Sequence, residues 1–592
     1  MRALMARVEK VAQEVVGATG GGDASHARVT LAEDLAHGDM ALNHALILAR
    51  ALKKPPQEVA QTLARAIQAS LGEEASVAVA APGFVNITLS LRALLAFEKE
   101  ALLKPHMWGA GSARANQRVV VEYTQPNPFK AFHIGHLMSN TIGEAISRLV
   151  AAQGARVVRA NYQGDIGPHV AKAIWALWRF PQEYDPSDAE SLGEAYARGV
   201  RAYEEDAVAR EEIDTINRRL YALLGGEAPA SEEERLWLEL YHTGRGASLE
   251  HFARIYALLS TTFDEFFFES EAAPIGIEVV REGLAGGIFS QSEGAVVFRG
   301  GERCRPPLHT RVFLTRHGTP TYEAKELGLV ELKRRRFGEF DENITTVAVE
   351  QESYGKLLAC VIGLVWPELA GKYQFVAHGM LQLTTGKMSS RTGKVITGES
   401  LLADLRNRAR EVMRGRVAAE EVESTADAVA VAAVRFAVLR QNRGKNIRFD
   451  PQASLSLVGD SGPYLQYTHA RLASLFAKAR DSGFLSGEEE KEARELSEAL
   501  SFEELSPHAL GVARLVARFP VVVDRAHEEL EPSHLAQYLL LLAAAVNHWY
   551  EEEQMVRDSR EVTLPRLAHL AAAKVTLKRG LELLGIRPLE AM

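Results

Sequence analysis

The sequence predicts an α/β protein in which a parallel-sheet domain with a helical insertion is flanked by a small α+β domain and an all-helical C-terminal bundle. A β-branched apolar stretch at 119–123, a helical stretch beginning near His136 and a second strand at 156–162 form a strand–helix–strand unit, which implies parallel strands. Strand and helix patterns alternate again from 312 to 377. After about residue 400 only helical patterns remain.

The first domain is predicted to span residues 1–112. Valines at helical spacing predict a first helix, and a second helix is predicted for 39–52. Strands are predicted at 76–80 and 84–89, on either side of a Pro-Gly turn. These patterns indicate a helix-and-sheet module, followed by a linker near 109–116.

The second domain is predicted to span 113–395. Residues 185–310 are charged and mostly helical in pattern, so they are predicted to be an insertion. Residues 396–460 are predicted to be a helical linking region, and 461–592 a helical bundle. Beyond the insertion the elements alternate as in a split α/β sheet, and the predicted ones are a strand at 312–314, a helix at 323–335, a strand at 344–349, a helix at 354–365 and a strand at 373–377.

The composition is that of an ordinary globular protein, with 592 residues, 47% of them hydrophobic, and a net charge of −9. An acidic chain contacts nucleic acid only through local basic patches. No apolar run approaches the roughly 18 residues of a membrane span, and the N-terminus has no apolar signal segment, so we expect a soluble, cytoplasmic protein. The 2 cysteines are too few for a disulfide framework or a Cys-rich zinc site, and such low usage fits a reducing compartment.

His133-Ile134-Gly135-His136 lies where the loop after the first central strand enters a helix. Helix N-termini attract anions, Gly135 allows a phosphate or a flat base to approach, and two imidazoles can donate hydrogen bonds to phosphate oxygens. The position therefore predicts a nucleotide site. The alternatives are a helix-capping histidine pair or two ligands of a metal ion, although no third ligand is evident nearby.

Lys387-Met388-Ser389-Ser390-Arg391 follows the last predicted strand of the sheet, with Gly393 beyond it. A glycine-flanked loop that carries Lys, Ser and Arg suits a polyphosphate whose charge rises in the transition state. Alone, such a stretch is more often a solvated loop. Its pairing with the histidine motif far upstream favours phosphate binding.

The two motifs together resemble the HIGH and KMSKS signatures of class I aminoacyl-tRNA synthetases. Their surroundings are most similar to the arginyl-tRNA synthetase family. Similar blocks occur in every predicted domain, at 82–86, 122–127, 159–167, 459–471 and 581–592. The resemblance implies that 113–395 is a Rossmann-like catalytic domain, that 1–112 binds tRNA, and that 461–592 binds the anticodon.

The resemblance also implies a reaction in which arginine and ATP form arginyl-adenylate and pyrophosphate, and the arginyl group then passes to the 2′-OH of the terminal adenosine of tRNA(Arg). Because the substrate carboxylate itself attacks the α-phosphate, positioning and charge stabilisation suffice for catalysis. Magnesium is expected with ATP, and the resemblance favours a monomer. The catalytic and ATP-binding positions that it implies are His133, Gly135, His136, Lys387, Met388, Ser389 and Arg391.

One position departs from the family pattern, because Ser390 stands where KMSKS has its second lysine. This change weakens the expected clamp on the pyrophosphate. Lys130 lies three residues before His133. Its proximity to the phosphate motif makes it our candidate for the missing cation.

A guanidinium is planar and permanently charged, so a dedicated arginine site should offer carboxylates. The family usually has Asp at the position of Glu326, whose side chain is longer. For each position the alternative is a surface or sheet-edge polar residue. Carried over residue by residue, the amino-acid-binding positions of the family correspond to Glu122, Asn127, Tyr322, Glu326 and Gln351.

For tRNA, Phe84 and Asn86 match family positions that contact a base in the D-loop, and an aromatic face with an amide suits an unstacked base. The alternative is a core Phe and a turn Asn. The run 333–336 is basic and either follows phosphates or, more often, forms a solvated helix face. Aromatic residues at helical spacing are more often core residues, but the candidate contacts in the C-terminal bundle are Tyr464, Gln466, Tyr467, His469, Arg471, Asn547, Trp549 and Tyr550.

Two other functions stay open at this point. The first is a class I synthetase for another amino acid, although the cysteine enzyme normally has a Cys-rich zinc site and the enzymes for large aliphatic amino acids carry far longer editing insertions. The second is a synthetase-like tRNA-binding protein without ligase activity. The intact His133, His136 and Lys387, with Tyr322 beside Glu326, argue against it.

Overall fold

The computed structural model describes residues 1–19, 28–384, 397–503, 505–557 and 559–592. The chain forms two compact units. The first comprises Met1–Gly111, Met413–Thr425 and Ser456–Met592, and the second comprises Ser112–Val412 and Ala426–Leu455. Among the described residues, no helix is both long enough and apolar enough to span a membrane.

An antiparallel sheet with the strand order β1-β2-β4-β3 lies in the N-terminal part of the first unit. Its elements are α1 (Arg2–Thr19), β1 (Thr30–Leu31), β2 (Met40–Leu42), α2 (His44–Leu52), α3 (Pro56–Leu71), β3 (Ala75–Ala80), β4 (Phe84–Leu89) and α4 (Leu91–Leu103). The strands predicted at 76–80 and 84–89 are confirmed. The helix predicted for 39–52 begins only at His44, because Met40–Leu42 pairs with β4 instead.

The second unit contains the predicted parallel sheet. Its strands are β5 (Arg118–Glu122), β6 (Arg156–Gln163), β7 (Glu265–Phe268), β8 (Ser290–Ser292), β9 (Ala295–Arg299), β10 (Thr310–Leu314), β11 (Glu342–Ala348), β12 (Tyr373–His378), β13 (Leu381–Leu383) and β14 (Ile447–Phe449). The helices from this part of the chain are α5 (Ile134–Ala152), α6 (Pro168–Arg179), α7 (Ala189–Glu205), α8 (Ala207–Leu224), α9 (Glu232–Leu258), α10 (Glu269–Ala285), α11 (Gly300–Arg303), α12 (Tyr322–Phe337), α13 (Glu352–Val365), α14 (Gly398–Met413), α15 (Val422–Leu439) and α16 (Pro451–Ser454).

The parallel sheet has the strand order β12-β11-β5-β6-β7, and every neighbouring pair is parallel. The chain moves from β5 to β6 on one side and later returns to β11 on the other side of β5. The strand order therefore reverses at β5. In open α/β sheets, ligands bind at the carboxyl ends of the strands beside such a reversal.

The predicted insertion at 185–310 is only partly helical. Helices α7, α8 and α9 fit the prediction, but β7 is the fifth strand of the parallel sheet. The strand predicted at 312–314 lies in β10, which pairs with β9 in a separate antiparallel sheet. The expectation of no strand beyond residue 400 is also wrong, since β14 pairs with β13. These strands are short, so they give little periodic signal.

Two glycines allow α10 and α12 to pack with their backbones nearly in contact. A Cβ on Gly276 would lie 2.0 Å from the carbonyl oxygen of Ala324, and one on Gly328 would lie 2.0 Å from that of Ala272. Any side chain at either position would force the helices apart. This crossing fixes the start of α12 relative to the start of α10, where both helices meet the carboxyl edge of the sheet.

The C-terminal bundle consists of α17 (Gly462–Asp481), α18 (Glu489–Ala499), α19 (Pro507–Glu528), α20 (Ser533–Glu552) and α21 (Arg560–Leu583), as the sequence predicted. It packs on the N-terminal module through polar contacts as well as apolar ones. Arg2 Nε donates to Asp524 at 2.6 Å, and His569 Nδ1 lies 2.8 Å from Glu98 Oε1 in a fully buried pair.

The two cysteines, Cys304 and Cys360, are joined by a disulfide bond. It links the end of α11 to α13 within the second unit. The cysteine count alone did not predict this pairing.

Candidate active site

A cavity of about 670 Å³ opens at the carboxyl edge of the parallel sheet, next to the reversal at β5. Its size is within the range of small-molecule sites. Residues predicted for both substrates line it, namely His133, Gly135 and His136 from the phosphate motif and Asn127, Tyr322 and Gln351 from the amino-acid set. The structure therefore brings these six predicted residues to one cavity.

His133 and His136 form a stacked pair at the start of α5, with ring centroids 3.5 Å apart. His133 is the N-cap residue of the helix, so the pair also has the capping position considered as an alternative. The backbone N–H of His133 donates to Nδ1 of His136 at 3.2 Å. A neutral ring that accepts at Nδ1 carries its proton on Nε2, which leaves Nε2–H as a donor for a ligand.

Both histidines are kept neutral. Burial lowers the pKa of His133, and the charge of Lys130 lowers it further. Burial also lowers the pKa of His136 well below its ordinary value, with smaller contributions from His133 and Lys130. Neutral imidazoles and the N-terminus of α5 can therefore donate hydrogen bonds to a phosphate without bringing a full positive charge.

The loop between β5 and α5 has a strained backbone. Thr124, Gln125 and Phe129 have positive φ angles of 78°, 51° and 65°. Such conformations cost about 1–3 kcal/mol each and persist only where surrounding contacts enforce them. The Ser139 hydroxyl accepts from the N–H of Thr124 at 2.9 Å, and Asn140 donates to the Thr124 hydroxyl at 3.0 Å. These buried contacts from α5 hold the loop in place.

Asn127 in this loop is held against the turn that follows β6. The N–H of Gly164 donates to Asn127 Oδ1 at 3.1 Å. A Cβ on Gly164 would lie 2.5 Å from the same oxygen, so the contact requires glycine. The Asn127 side chain thus has a fixed position on the cavity wall.

Tyr322 and Glu326 lie one turn apart at the start of α12, on the same face of the helix. The Tyr322 hydroxyl is hydrogen-bonded to the Glu326 carboxylate. Burial raises the pKa of Glu326 to about 8, the charge of Glu122 raises it as well, and Lys333 opposes both. A cation placed beside Glu326 would favour its charged form.

Glu122, which is predicted to bind an arginine substrate, is paired with Lys333 in the structure, and its contact with arginine stays a prediction. Glu122 is 1% exposed and its Oε2 accepts from Lys333 Nζ at 2.5 Å. Its other oxygen accepts from Gln125 Nε2 at 2.6 Å. Glu122 is therefore a buried partner of Lys333 and is not among the residues that line the cavity.

The four basic residues 333–336 form neither a continuous phosphate-binding surface nor a uniformly solvated helix face. Lys333 is 1% exposed and also donates to Asn343 Oδ1 at 2.8 Å. Arg334 and Arg335 pair with Glu331, and Arg336 pairs with Glu265 at 2.9 Å. The sequence did not distinguish the buried lysine from its exposed neighbours.

The motif with Lys387, Met388, Ser389, Ser390 and Arg391 lies outside the described residues. Thr384, just before it, donates its N–H to the carbonyl of Phe449 at 2.9 Å. After it, Gly398 donates to the carbonyl of Phe132 at 2.8 Å, and Thr397 forms a β-bridge with His133. The residues that flank the second motif on its C-terminal side are thus bonded to the first.

Lys130 is partly buried close to the histidine pair. Its Nζ lies 5.0 Å from the ring centroid of Tyr196, a cation–π contact. Burial lowers the pKa of Lys130 and the nearby Lys172 lowers it further, whereas Glu269 raises it. The charge of Lys130 also contributes to the neutrality of both histidines.

Phe84 and Asn86 lie on one face of β4. Val85, Ile87 and Leu89 alternate with them and are buried in the core of the N-terminal module. Phe84 is 38% exposed, so it is not the core Phe considered as an alternative. Both predicted tRNA contacts therefore remain available for a base.

Four of the eight predicted contacts in the C-terminal bundle are buried, namely Gln466, His469, Asn547 and Trp549. His469 and Trp549 are fully buried; His469 Nδ1 lies 2.8 Å from the carbonyl of Leu589, and Trp549 donates to Glu553. The structure does not support contacts of these two side chains with tRNA. Tyr464 and Tyr467 are only half-buried, and Arg471 lies 5.2 Å from the ring centroid of Tyr467.

Sequence analysis gave no role to several other residues on the cavity wall, among them Tyr162, Glu269 and Lys325. Tyr162 lies near the carboxyl end of β6, a position that could have been inferred from the predicted strand. Glu269 follows β7, which the predicted insertion concealed. Over the ranges that the structure describes, no group of three His, Cys, Asp or Glu side chains could hold a metal ion.

Family models match most of the chain. Residues 99–451, more than half of it, match the model described as the catalytic domain of class I tRNA synthetases (R). Residues 465–592 match the DALR anticodon-binding domain, and residues 4–89 match the arginyl-tRNA synthetase N-terminal domain.

Individual proteins are similar over nearly the whole length. The arginine–tRNA ligase of Bacteroides fragilis is 28% identical over 563 residues, which is 90% of each chain. The arginyl-tRNA synthetase of Thermus thermophilus aligns over 100% of both chains with a TM-score of 0.78 and 27% identity. That of Plasmodium falciparum aligns over 99% of both with a TM-score of 0.78; its 18% identity makes this a likeness of fold alone.

Mutation of the buried ion pair between Lys333 and Glu122 tests how much this pair contributes to stability. We expect Lys333→Met to lower the free energy of unfolding by about 3 kcal/mol, because it leaves the Glu122 carboxylate buried without a counter-charge. Arg335→Met removes an exposed ion pair and should change it by less than about 1 kcal/mol. Thermal melting of the two variants at pH 7.5 makes the comparison, and equal melting temperatures would contradict the role assigned to Lys333.

Proposed function

Because this chain belongs to the class I arginyl-tRNA synthetase family, we propose that the cavity at the carboxyl edge of its sheet is where L-arginine and ATP react. The chain is an aminoacyl-tRNA ligase, which attaches arginine to tRNA. The proposal concerns which residues carry each step.

One observation supports this assignment above all: the neutral histidine pair and three of the five amino-acid-binding candidates line the same cavity. The pair lies at a helix N-terminus, which suits the phosphates of ATP. Tyr322, Asn127 and Gln351 line the same cavity, and their polar side chains suit an amino acid ligand. Two substrates that must react need a shared site of this kind.

In the first step the arginine carboxylate attacks the α-phosphorus of ATP. A new P–O bond forms, the bond to the β-phosphate oxygen breaks, and pyrophosphate leaves with the bonding electrons. His133 and His136 donate hydrogen bonds to the phosphates during this step. Lys387 and Arg391, with Met388 and Ser389 beside them, would neutralise the departing pyrophosphate. ATP is used as its magnesium complex.

The second step needs tRNA(Arg). The 2′-OH of the terminal adenosine attacks the arginyl carbonyl, and AMP leaves. Phe84 and Asn86 on the exposed face of β4 contact a base of the tRNA, and Tyr464 and Tyr467 contact the anticodon region. We further propose that the protein works in the cytoplasm and as a monomer.

The ligase assignment is tested by ATP–pyrophosphate exchange with each amino acid, in the presence and absence of tRNA(Arg). We expect exchange with arginine alone among the amino acids. Exchange with a different amino acid would indicate another class I specificity. Absence of exchange in the presence of tRNA would indicate a tRNA-binding protein without ligase activity.

The pKa of Glu326, near 8, predicts that arginine binding depends on pH. Below pH 8 the free carboxyl is mostly protonated, and the guanidinium favours its charged form, so binding releases a proton. Affinity should therefore rise from pH 6 to pH 8, by at most about tenfold per pH unit, and then level off. Titration calorimetry in buffers of different ionisation enthalpy measures the proton release directly.

Glu326→Gln is the matched control for this dependence. It keeps the size and the hydrogen bonding of the side chain but does not titrate. The variant should bind arginine more weakly at pH 8 and show no rise in affinity between pH 6 and pH 8. Proton uptake on binding, or the same pH dependence in both proteins, would be incompatible with the role of Glu326.

Lys130 is proposed to supply the positive charge that Ser390 lacks. We expect Lys130→Met to reduce the rate of adenylate formation by tenfold or more while changing arginine affinity little, because the lysine would act on phosphate charge in the transition state. Lys172→Met, which removes the neighbouring lysine, is the control. Equal losses of adenylate formation and arginine affinity in Lys130→Met would refute this role.

A further inference from the structure

Arg435 is a buried guanidinium on α15 to which neither the sequence nor the proposed reaction gives a role. Its side chain is fully buried, and burial lowers its pKa to about 10, so it remains positively charged at neutral pH. A charge in the interior of a protein is destabilising unless it is hydrogen-bonded and compensated. The contacts of Arg435 therefore indicate which part of the structure this charge supports.

The Arg435 side chain is bonded to the connection between α9 and β7. Its Nη2 donates to the carbonyl oxygen of Leu259 at 2.7 Å and to the hydroxyl oxygen of Thr261 at 3.1 Å. Leu259 directly follows α9 and Thr261 lies two residues later. Thr261 is buried as well, so this contact is shielded from water. The guanidinium therefore fixes the position of the Thr261 hydroxyl group.

The Thr261 hydroxyl group connects Arg435 to the loop between β5 and α5 through one further side chain. Thr261 Oγ1 donates to Asn140 Oδ1 at 3.1 Å, and Asn140 Nδ2 donates to Thr124 Oγ1 at 3.0 Å. Asn140 on α5 and Thr124 in the loop are both buried. Arg435, Thr261, Asn140 and Thr124 thus form a hydrogen-bonded relay within the second unit, and its last member lines the cavity.

Arg435 determines the direction of the hydrogen bonds in this relay. A guanidinium group can only donate, so Thr261 Oγ1 accepts from it and gives its single hydrogen to the amide oxygen of Asn140. The amide nitrogen of Asn140 is then turned towards Thr124. With the amide oxygen and nitrogen exchanged, Thr261 would accept from both sides and lose the acceptor for its own buried hydrogen. Without Arg435, the two directions would have the same number of hydrogen bonds.

Thr124, at the other end of the relay, has a strained backbone. Its φ angle of 78° lies in the left-handed region, where a β-branched residue is a steric outlier. Such a conformation persists only where surrounding contacts enforce it. Ser139 Oγ accepts from the Thr124 N–H at 2.9 Å, and the relay holds the Thr124 hydroxyl group. The relay therefore supports the strained start of the loop that contains Asn127 and leads to His133.

We propose that Arg435 is a positioning residue for adenylate formation, which acts through Thr261 and Asn140 to keep the strained loop at Thr124 in one conformation. Without this donor the relay would alternate between two equally bonded arrangements, and the loop with it. A small displacement of the loop lowers the fraction of complexes in which the reacting atoms are aligned. This inference rests on the proposed function, in which arginine and ATP react in the cavity.

The test measures kcat and the KM values for arginine and ATP in ATP–pyrophosphate exchange with tRNA(Arg) present. Thr261→Val keeps the shape of the side chain but removes the hydroxyl group. We expect it to lower kcat by about tenfold and to change both KM values by less than about threefold, because alignment is lost rather than binding. Thr261→Ser keeps the hydroxyl group and should retain about half or more of the wild-type kcat.

Two substitutions of Arg435 test whether the relay needs a group that can only donate. Lysine can only donate, whereas the amide of glutamine both donates and accepts. We expect Arg435→Lys to retain about a third or more of the wild-type kcat and Arg435→Gln to lose about tenfold. The double variant Arg435→Gln/Thr261→Val should be no slower than the slower single variant, since both changes act on one relay.

Arg148→Gln is the matched control, because it removes a cation beside the same buried carboxylate without changing the relay. Arg148 Nε donates to Glu144 Oε1 at 2.6 Å. Burial lowers the pKa of Arg435, and the charge of Glu144 acts in the opposite direction. Arg148→Gln should change kcat by less than about twofold. A loss as large as that of Arg435→Gln would indicate a general effect of charge and overturn the proposal.

A wild-type kcat in Thr261→Val, or equal losses of kcat and of both affinities, would also overturn the proposal. The same kcat in Arg435→Lys and Arg435→Gln would overturn it too. If the Arg435 variants failed to fold, the comparison of Thr261→Val with Thr261→Ser would still decide. Absence of exchange in the wild-type protein would refute the proposed function and this inference with it, whereas wild-type exchange with an unaffected Thr261→Val would refute this inference alone.

Discussion

The balance of buried charge beside the cavity is the constraint on which the site depends. Three carboxylates, Glu122, Glu269 and Glu326, lie near one another, and two lysines reach them. Lys333 pairs with Glu122 and Lys325 pairs with Glu269. No lysine pairs directly with Glu326 among the described residues, and burial together with the charge of Glu122 raises its pKa to about 8. Buried charges are stable only when they are compensated, so in the proposed function the guanidinium of arginine supplies the cation that Glu326 lacks.

The phosphate side of the cavity follows the opposite principle. His133 and His136 are neutral, because burial and the nearby Lys130 disfavour their protonation. They offer directional hydrogen bonds rather than fixed charge. In the proposed function this site holds ATP and releases pyrophosphate, and neutral donors bind that product less strongly than several full cations would. The three carboxylates and the two neutral histidines lie near the same edge of the sheet because the strand order reverses at β5.

Much of this site follows from local sequence. The strands and helices that carry the histidine motif, Asn127, Tyr322 and Gln351 are predictable from apolar periodicity, whereas the choice of Asn127, Tyr322 and Gln351 came from the family resemblance. Predictions that rested on residue type alone were less accurate. Trp549 and His469 pack inside the helical bundle, and Lys333 is buried although Arg335 and Arg336 are exposed. The type of a residue does not tell whether its side chain faces solvent or the core, because packing determines this.

The sequence by itself determined the parallel-sheet architecture, the helical C-terminal bundle and the position of the histidine motif, because these depend on hydrophobic periodicity and on adjacent residues. Only the tertiary structure decided which carboxylates are paired with a lysine and which is not. Glu122 and Lys333 are far apart in the chain and come together through the pairing of β5 with β11 and the packing of α12. Long-range pairing of charges leaves no periodic trace in the sequence, so the roles of Glu122, Glu269 and Glu326 could be separated only in three dimensions.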